Sequence, residues 1–229
     1  MENVRFIFCD PKEDLSKCWV DEINKQLSRE ERSRFTIIHG VLDDVKTSFD
    51  CIVSPANSYA RLDGAFDLVI SKMFAPDDPD RVTDHCQEYL YAIYNGYQPT
   101  GTSLLIPMHN IGNNRYKCKY ILHCPTMRIP SNCTWNKEVV YNCMWSLLCE
   151  VRRHNSTVKG NKIRDILVTG LGTGIGRFPS ETCAKQMICA YKHFLRNLKK
   201  QEKNTSWKEI HDTSLDIEET WRTRTFLSK

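Results

Sequence analysis

Two stretches of this chain bring together residue types able to do chemistry. The first is Gly170-Leu171-Gly172-Thr173-Gly174-Ile175-Gly176, which holds four of the ten glycines and directly follows the apolar run 165–169. Glycine lets a backbone take positive φ and approach a ligand closely. Successive amides in such a turn form a concave anion nest, aided by the N-terminus of a following helix. A tight turn without a ligand needs one or two glycines, so four in seven residues point to phosphate. No Gly-Lys-Ser follows, which excludes a Walker loop, and the spacing is not that of a dinucleotide fingerprint. The second stretch is Ile52-Val53-Ser54-Pro55-Ala56-Asn57-Ser58-Tyr59, continuing through Arg61-Leu62-Asp63-Gly64-Ala65-Phe66-Asp67. Asn57 sits just past a strand, where its amide can offer a donor and an acceptor to a sugar hydroxyl. The alternative is an ordinary turn asparagine. Asp67 falls in the first turn of a helix, where a carboxylate also simply favours the helix dipole.

The elements that must position these loops alternate along the chain, the mark of α/β construction. Strands are predicted at 4–9, 35–39, 51–55, 103–107, 120–124 and 165–169. Helices are predicted at 14–27, from Gly64 or Ala65 through Phe74, through 86–92, at 136–153 and at 180–198, the last with N-terminal capping from Ser180-Glu181. Residues 199–206 read as a polar linker. The remainder of a 199–229 extension carries Trp207, Ile210, Leu215, Ile217, Trp221 and Phe226, enough apolar residues to dock on the preceding domain, with an intermolecular contact through Trp207 and Trp221 as the alternative. In an open α/β sheet the strands' carboxyl ends form the ligand crevice, so both loops belong at that edge.

Composition narrows the classes. The chain has 229 residues, 41% hydrophobic and 26% charged, with a net charge of +4. That is long enough to bury a sizeable core without disulfide staples. No apolar run is long enough to span a bilayer, and the N-terminus enters a strand pattern without a secretory signal. A cytoplasmic or nuclear location, with no membrane partner, is expected. The eleven cysteines are odd in number and show no CxxC pair. They read as reduced, buried small hydrophobes. No cluster has metal-ligand spacing, so neither metal nor cofactor is expected. Lys192, Arg196, Lys199, Lys200 and Lys203 lack interleaved aromatics and read as a solvated helix face, so there is no strong nucleic-acid signal. His123, inside an apolar strand, reads as a satisfied core histidine ahead of a catalytic one.

Together the two loops resemble those of the macro domain, the ADP-ribose-binding α/β module. Ala56-Asn57 matches the start of that family's first loop, and Phe66-Asp67 stands ten residues beyond the asparagine, where the family has Val-Asp. Gly172-Thr173-Gly174-Ile175-Gly176-Arg177-Phe178-Pro179 follows the second loop's Ser-Thr-Gly-x-x-Gly-x-Pro, and Ile121-Leu122-His123-Cys124-Pro125 its Ile-His strand before a proline. The resemblance runs from about residue 4 to 198. The nearest likeness is to divergent fungal macro-like proteins described as ADP-ribose-1''-phosphate phosphatases, through Ile52-Val53-Ser54-Pro55, Met144-Trp145 and the glycine turn.

The resemblance implies a three-layer fold with a mixed central sheet between helices, in a domain spanning 1–198. It implies ADP-ribose or ADP-ribose-1''-phosphate as ligand, free or on an ADP-ribosylated macromolecule, with two outcomes: hydrolysis of the distal ribose's 1''-substituent, or binding without turnover. Asn57 and Asp67 would be catalytic, Asn57 holding the ribose and Asp67 orienting or activating a water. Ser58, Gly64, Ala65, Gly172, Thr173, Gly174, Ile175, Gly176 and Phe178 would bind the ligand. Three departures stand out. The family's adenine-reading aspartate in Gly-Asp-Ile is replaced within His39-Gly40-Val41-Leu42, with Asp43 two positions late. The first loop's glycine run is reduced to Leu62-Asp63-Gly64-Ala65. Gly176 replaces an aromatic, and Arg177 replaces a glycine.

Overall fold

The computed structural model describes residues 4–202 and 204–222. Six strands form one sheet: β1 (Arg5–Asp10), β2 (Phe35–His39), β3 (Cys51–Ser54), β4 (Leu104–Pro107), β5 (Tyr120–His123) and β6 (Asp165–Val168), in the order β2-β1-β6-β3-β5-β4. Every pairing is parallel except β4 against β5. A parallel sheet needs helices on both faces, so its strands carry apolar side chains in both directions. Phe6, Phe8, Cys51, Val53, Leu122, Ile166 and Val168 face one core with α1 (Glu13–Gln26), α5 (Val139–Thr157) and α6 (Ser180–Lys199). The intervening Ile7, Cys9, Ile52, Ile121 and Leu167 face a second core with α3 (Ala65–Phe74) and α4 (Asp80–Tyr94). The result is the mixed, three-layer α/β architecture expected.

Local chemistry moved several boundaries. A four-residue α2 (Arg29–Arg32) lies between α1 and β2, closed by a capping box in which Ser28 and Glu31 bond each other's backbone amides. It has no apolar stripe, so periodicity gives no sign of it. Residues 136–138 form a turn ahead of α5, in which the Asn136 carbonyl accepts the Val139 amide. Ser180 does not cap α6. It is the first helical residue, after Pro179, and its hydroxyl bonds the carboxylate of Asp14.

Nine of the eleven cysteines are buried, Cys18 is partly buried and Cys149 is exposed, all as free thiols. The C-terminal α7 (Trp207–Trp221) packs on α6 through Ile217. His193 Nε2 lies 2.9 Å from Asp216 Oδ2, and Gln186 Nε2 donates to Thr220 Oγ1 at 3.1 Å. Trp207, 84% exposed, stays in solvent, and Ile210 and Leu215 are also exposed. Phe226 lies outside the described residues. The basic face of α6 is largely engaged: Lys199 pairs with Glu31, Lys200 with Glu209, and Arg196 donates to Thr213. Lys203 is also outside the described residues. Among the described residues, no helix is long and apolar enough to cross a membrane.

Candidate functional site

The carboxyl ends of β1, β6 and β3 are neighbours in the sheet, and the loops that follow them enclose a crevice of about 380 Å³. Its floor and walls come from Asp10 and Lys12 after β1, Asn57 through Asp67 after β3, and Thr169 through Ile175 after β6. A second, more open groove of about 620 Å³ lies between α5, α6 and α7, lined by Trp145, Arg196 and Ile210. It brings none of the strand-end loops together.

The glycine loop is held from behind. Asp10 is buried, and its carboxylate accepts the Thr169 hydroxyl at 2.8 Å, the Gly170 amide at 3.1 Å and the Lys12 amide at 3.0 Å. The Phe178 amide returns to the Gly172 carbonyl at 3.0 Å, and the Arg177 amide to that of Gly174. Gly172 adopts φ +70°, in the left-handed region glycine favours. A Cβ on Gly176 would lie 2.5 Å from the Gly172 carbonyl oxygen and 2.6 Å from Cys133 Sγ, so only hydrogen fits there. Gly174, by contrast, has open space around it. Internal packing therefore accounts for much of the glycine content that the sequence alone assigns to phosphate. The anion-binding feature is instead the amides. Gly172, Thr173, Gly174 and Ile175 line the crevice, and among the described residues their N–H groups donate no hydrogen bond. Gly172 and Thr173 are buried, and a buried amide is seldom left unpaired, whereas Gly174 and Ile175 face solvent.

The first loop brings Asn57 and Asp67 to the same crevice. Asn57 is nearly buried, and its side chain folds back on its own loop: Oδ1 accepts the Tyr59 and Arg61 amides, and Nδ2 donates to the Arg61 carbonyl at 2.8 Å. The turn role is thus filled, leaving one Nδ2 hydrogen for a ligand. Asp67 Oδ1 accepts the Ser54 hydroxyl at 2.7 Å. The residue keeps some exposure, yet its carboxyl is crowded by protein. Burial pushes its pKa up from 3.8 to about 7, against the lowering effect of Ser54 and with a small addition from Asp63. A carboxyl near 7 can give or take a proton at neutral pH. Gly64 and Ala65 also line the wall. Ala65 holds φ +49°, a left-handed conformation that glycine favours, and Arg177 does the same at φ +57°.

Three expected ligand contacts do not line the crevice. Ser58 is fully buried behind the loop, its amide bonded to the Met127 and Arg128 carbonyls, because the stretch bridges to the β5–α5 connection. Gly176 and Phe178 are packed beneath the glycine loop, so they shape it from inside the core. His123 is fully buried, with Nδ1 2.7 Å from Gln98 Oε1 and Nε2 3.0 Å from the Asn57 carbonyl. Burial lowers its pKa to about 4, and its ring contacts buttress the Asn57 loop from behind. Asp43 points outward and pairs with Arg115, while Asp44 Oδ2 accepts the Val41 amide. Neither carboxylate reaches the crevice, whose end there is lined by Gly40, Val41 and Leu42. Sequence reasoning missed Asp10, Lys12 and Ser54. The signal was available, since the end of every parallel strand opens at the same edge.

The family model described as "Macro-like domain" matches residues 1–205. Among solved structures, the Oceanobacillus iheyensis macrodomain with ADP is 17% identical, covering 75% of this chain and 84% of that one, with a TM-score of 0.50. A glycine-to-valine mutant of the same macrodomain with ADPR is 18% identical over 79% of this chain and 89% of its own, with a TM-score of 0.51. At that identity the likeness speaks for the fold, and the family model speaks for membership. The chain belongs to the Macro-like domain family.

Proposed function

We propose that the crevice binds ADP-ribose and hydrolyses the substituent at the 1'' position of its distal ribose. The observation that carries the binding is the row of unengaged amides at residues 172–175, which suits a diphosphate. The distal ribose then lies toward Asn57 and Asp67. Support for turnover comes from Asp67, whose pKa of about 7 is matched to proton transfer. With ADP-ribose-1''-phosphate, Asp67 takes a proton from water as the water oxygen bonds to phosphorus. The bond between phosphorus and the 1'' oxygen breaks, and that oxygen keeps the electron pair and receives the proton. The products are ADP-ribose and inorganic phosphate. The phosphatase form of this reading also draws on the likeness to fungal macro-like proteins.

The Asp67→Asn variant tests it. Phosphate release from ADP-ribose-1''-phosphate should fall about a thousandfold, as for removal of a general base, while calorimetry shows ADP-ribose binding retained. Unchanged turnover removes Asp67 from the mechanism. A second reading, an ADP-ribose reader without turnover, is favoured by Asn57, whose amide is already committed to residues 59–61. Wild-type protein that binds ADP-ribose but releases no product establishes the reader.

A further inference from the structure

Lys12 stands at the turn between β1 and α1, on the lip of the crevice. It is exposed, yet its ammonium is not loose: Nζ donates to the carbonyl of Thr173, in the middle of the glycine loop. Among the described residues it forms no ion pair. The nearest carboxylates in sequence each hold another hydrogen-bond or ion-pair partner. Asp10 bonds Thr169 and Gly170, Glu13 pairs with Lys17, and Asp14 bonds Ser180. A positive charge is thus anchored beside four unengaged amides, with no carboxylate among the described residues in ion-pair contact, although Asp14 lies near enough to feel its field. An ammonium has three donors, and one is used.

We propose that Lys12 is the charge partner of the ligand's diphosphate, closing over it from the side opposite the first loop. This deepens the ADP-ribose reading and rests on it for the ligand's identity. The amides alone supply partial charges, which any phosphate oxygen can use. A full charge fixed over the loop adds a preference for the dianionic diphosphate over ligands of lower charge. The Thr173 carbonyl sets the position of the ammonium, so loop and charge act as one unit.

Calorimetry with inorganic pyrophosphate and with ADP-ribose, each at low and high salt, tests the assignment in wild type, Lys12→Met and Lys12→Arg. The methionine variant should bind both ligands about tenfold more weakly, as expected for loss of a charge-assisted hydrogen bond. Its affinity should also depend less on salt, because the screened charge is gone. The arginine variant should restore most of the affinity and the salt dependence. Equal binding by the methionine variant overturns the proposal. So does weaker binding with unchanged salt dependence, which marks a purely structural lysine. If wild type takes pyrophosphate but not ADP-ribose, the ADP-ribose reading falls while the pyrophosphate series still decides Lys12. If it takes neither, both fall.

Discussion

The two loops facing each other across the crevice keep their shapes by opposite means. The loop after β6 spends its glycines on itself: Gly172 needs positive φ, and Gly176 leaves no room for a methyl group. The loop after β3 holds its shape with side chains, through the bonds of Asn57 to residues 59–61 and of Ser54 to Asp67. It accepts Ala60 and Ala65 in the left-handed region without glycine. One loop presents backbone to the crevice and tolerates little change. The other presents side chains and takes left-handed turns at alanine.

Breaking the rigid loop should have the largest effect. Gly176→Ala places a Cβ against the Gly172 carbonyl and Cys133. The displaced amides should cost ADP-ribose binding on the order of a hundredfold by calorimetry. The fold should lose about 2 kcal/mol by denaturant titration, an overpacking penalty. Affinity within threefold of wild type would mean that the loop yields and that the contrast is false.

The side-chain loop should show a different signature. Asp67 holds its proton more tightly folded than unfolded, since its pKa rises from 3.8 to about 7. Its contribution to stability is therefore full below about pH 4 and is lost as pH rises through 7. Asp67→Asn should come close to wild type at pH 4 and exceed it at pH 8 by on the order of 4 kcal/mol. Equal stability at both would show that the carboxyl is not strained. Turnover should rise roughly tenfold between pH 6 and pH 8 as Asp67 loses its proton. A rate that falls over that range would make Asp67 an acid instead of a base.

The smallest effect sharpens the contrast. Ala65→Gly relieves a left-handed alanine and should stabilise by about 0.5 kcal/mol, the relief of positive φ less the added chain entropy of glycine. Destabilisation by denaturant titration would show that the Ala65 methyl packs usefully on the wall.

The alternation of Phe6, Ile7 and Phe8, and of Ile166, Leu167 and Val168, made the sheet legible, because both faces of a parallel sheet must be apolar. Asn57, Asp67 and the turn at 172–175 were legible as strand-end residues. Ser54 was not, because its bond to Asp67 spans thirteen residues and leaves no periodic trace. Ser58 looked like a ligand contact, although its burial against Met127 is a tertiary fact. Lys12 was hidden in the short gap between the strand at 4–9 and the helix at 14–27. Trp207 looked like a docking anchor, yet α7 holds on mainly through polar bonds.

Those bonds have a consequence for how far the fold can be trimmed. The family match stops at residue 205, just short of α7. Gln186, which bonds Thr220 on that helix, also accepts the Tyr141 amide and donates to the Lys137 carbonyl at the entrance to α5. The same connecting segment carries Cys133, whose amide bonds the Gly176 carbonyl under the glycine loop. A chain excised at the family's edge would strip one partner from this relay and expose His193 beside an absent Asp216. The appended helix therefore shares its hydrogen bonds with the framework beneath the glycine loop.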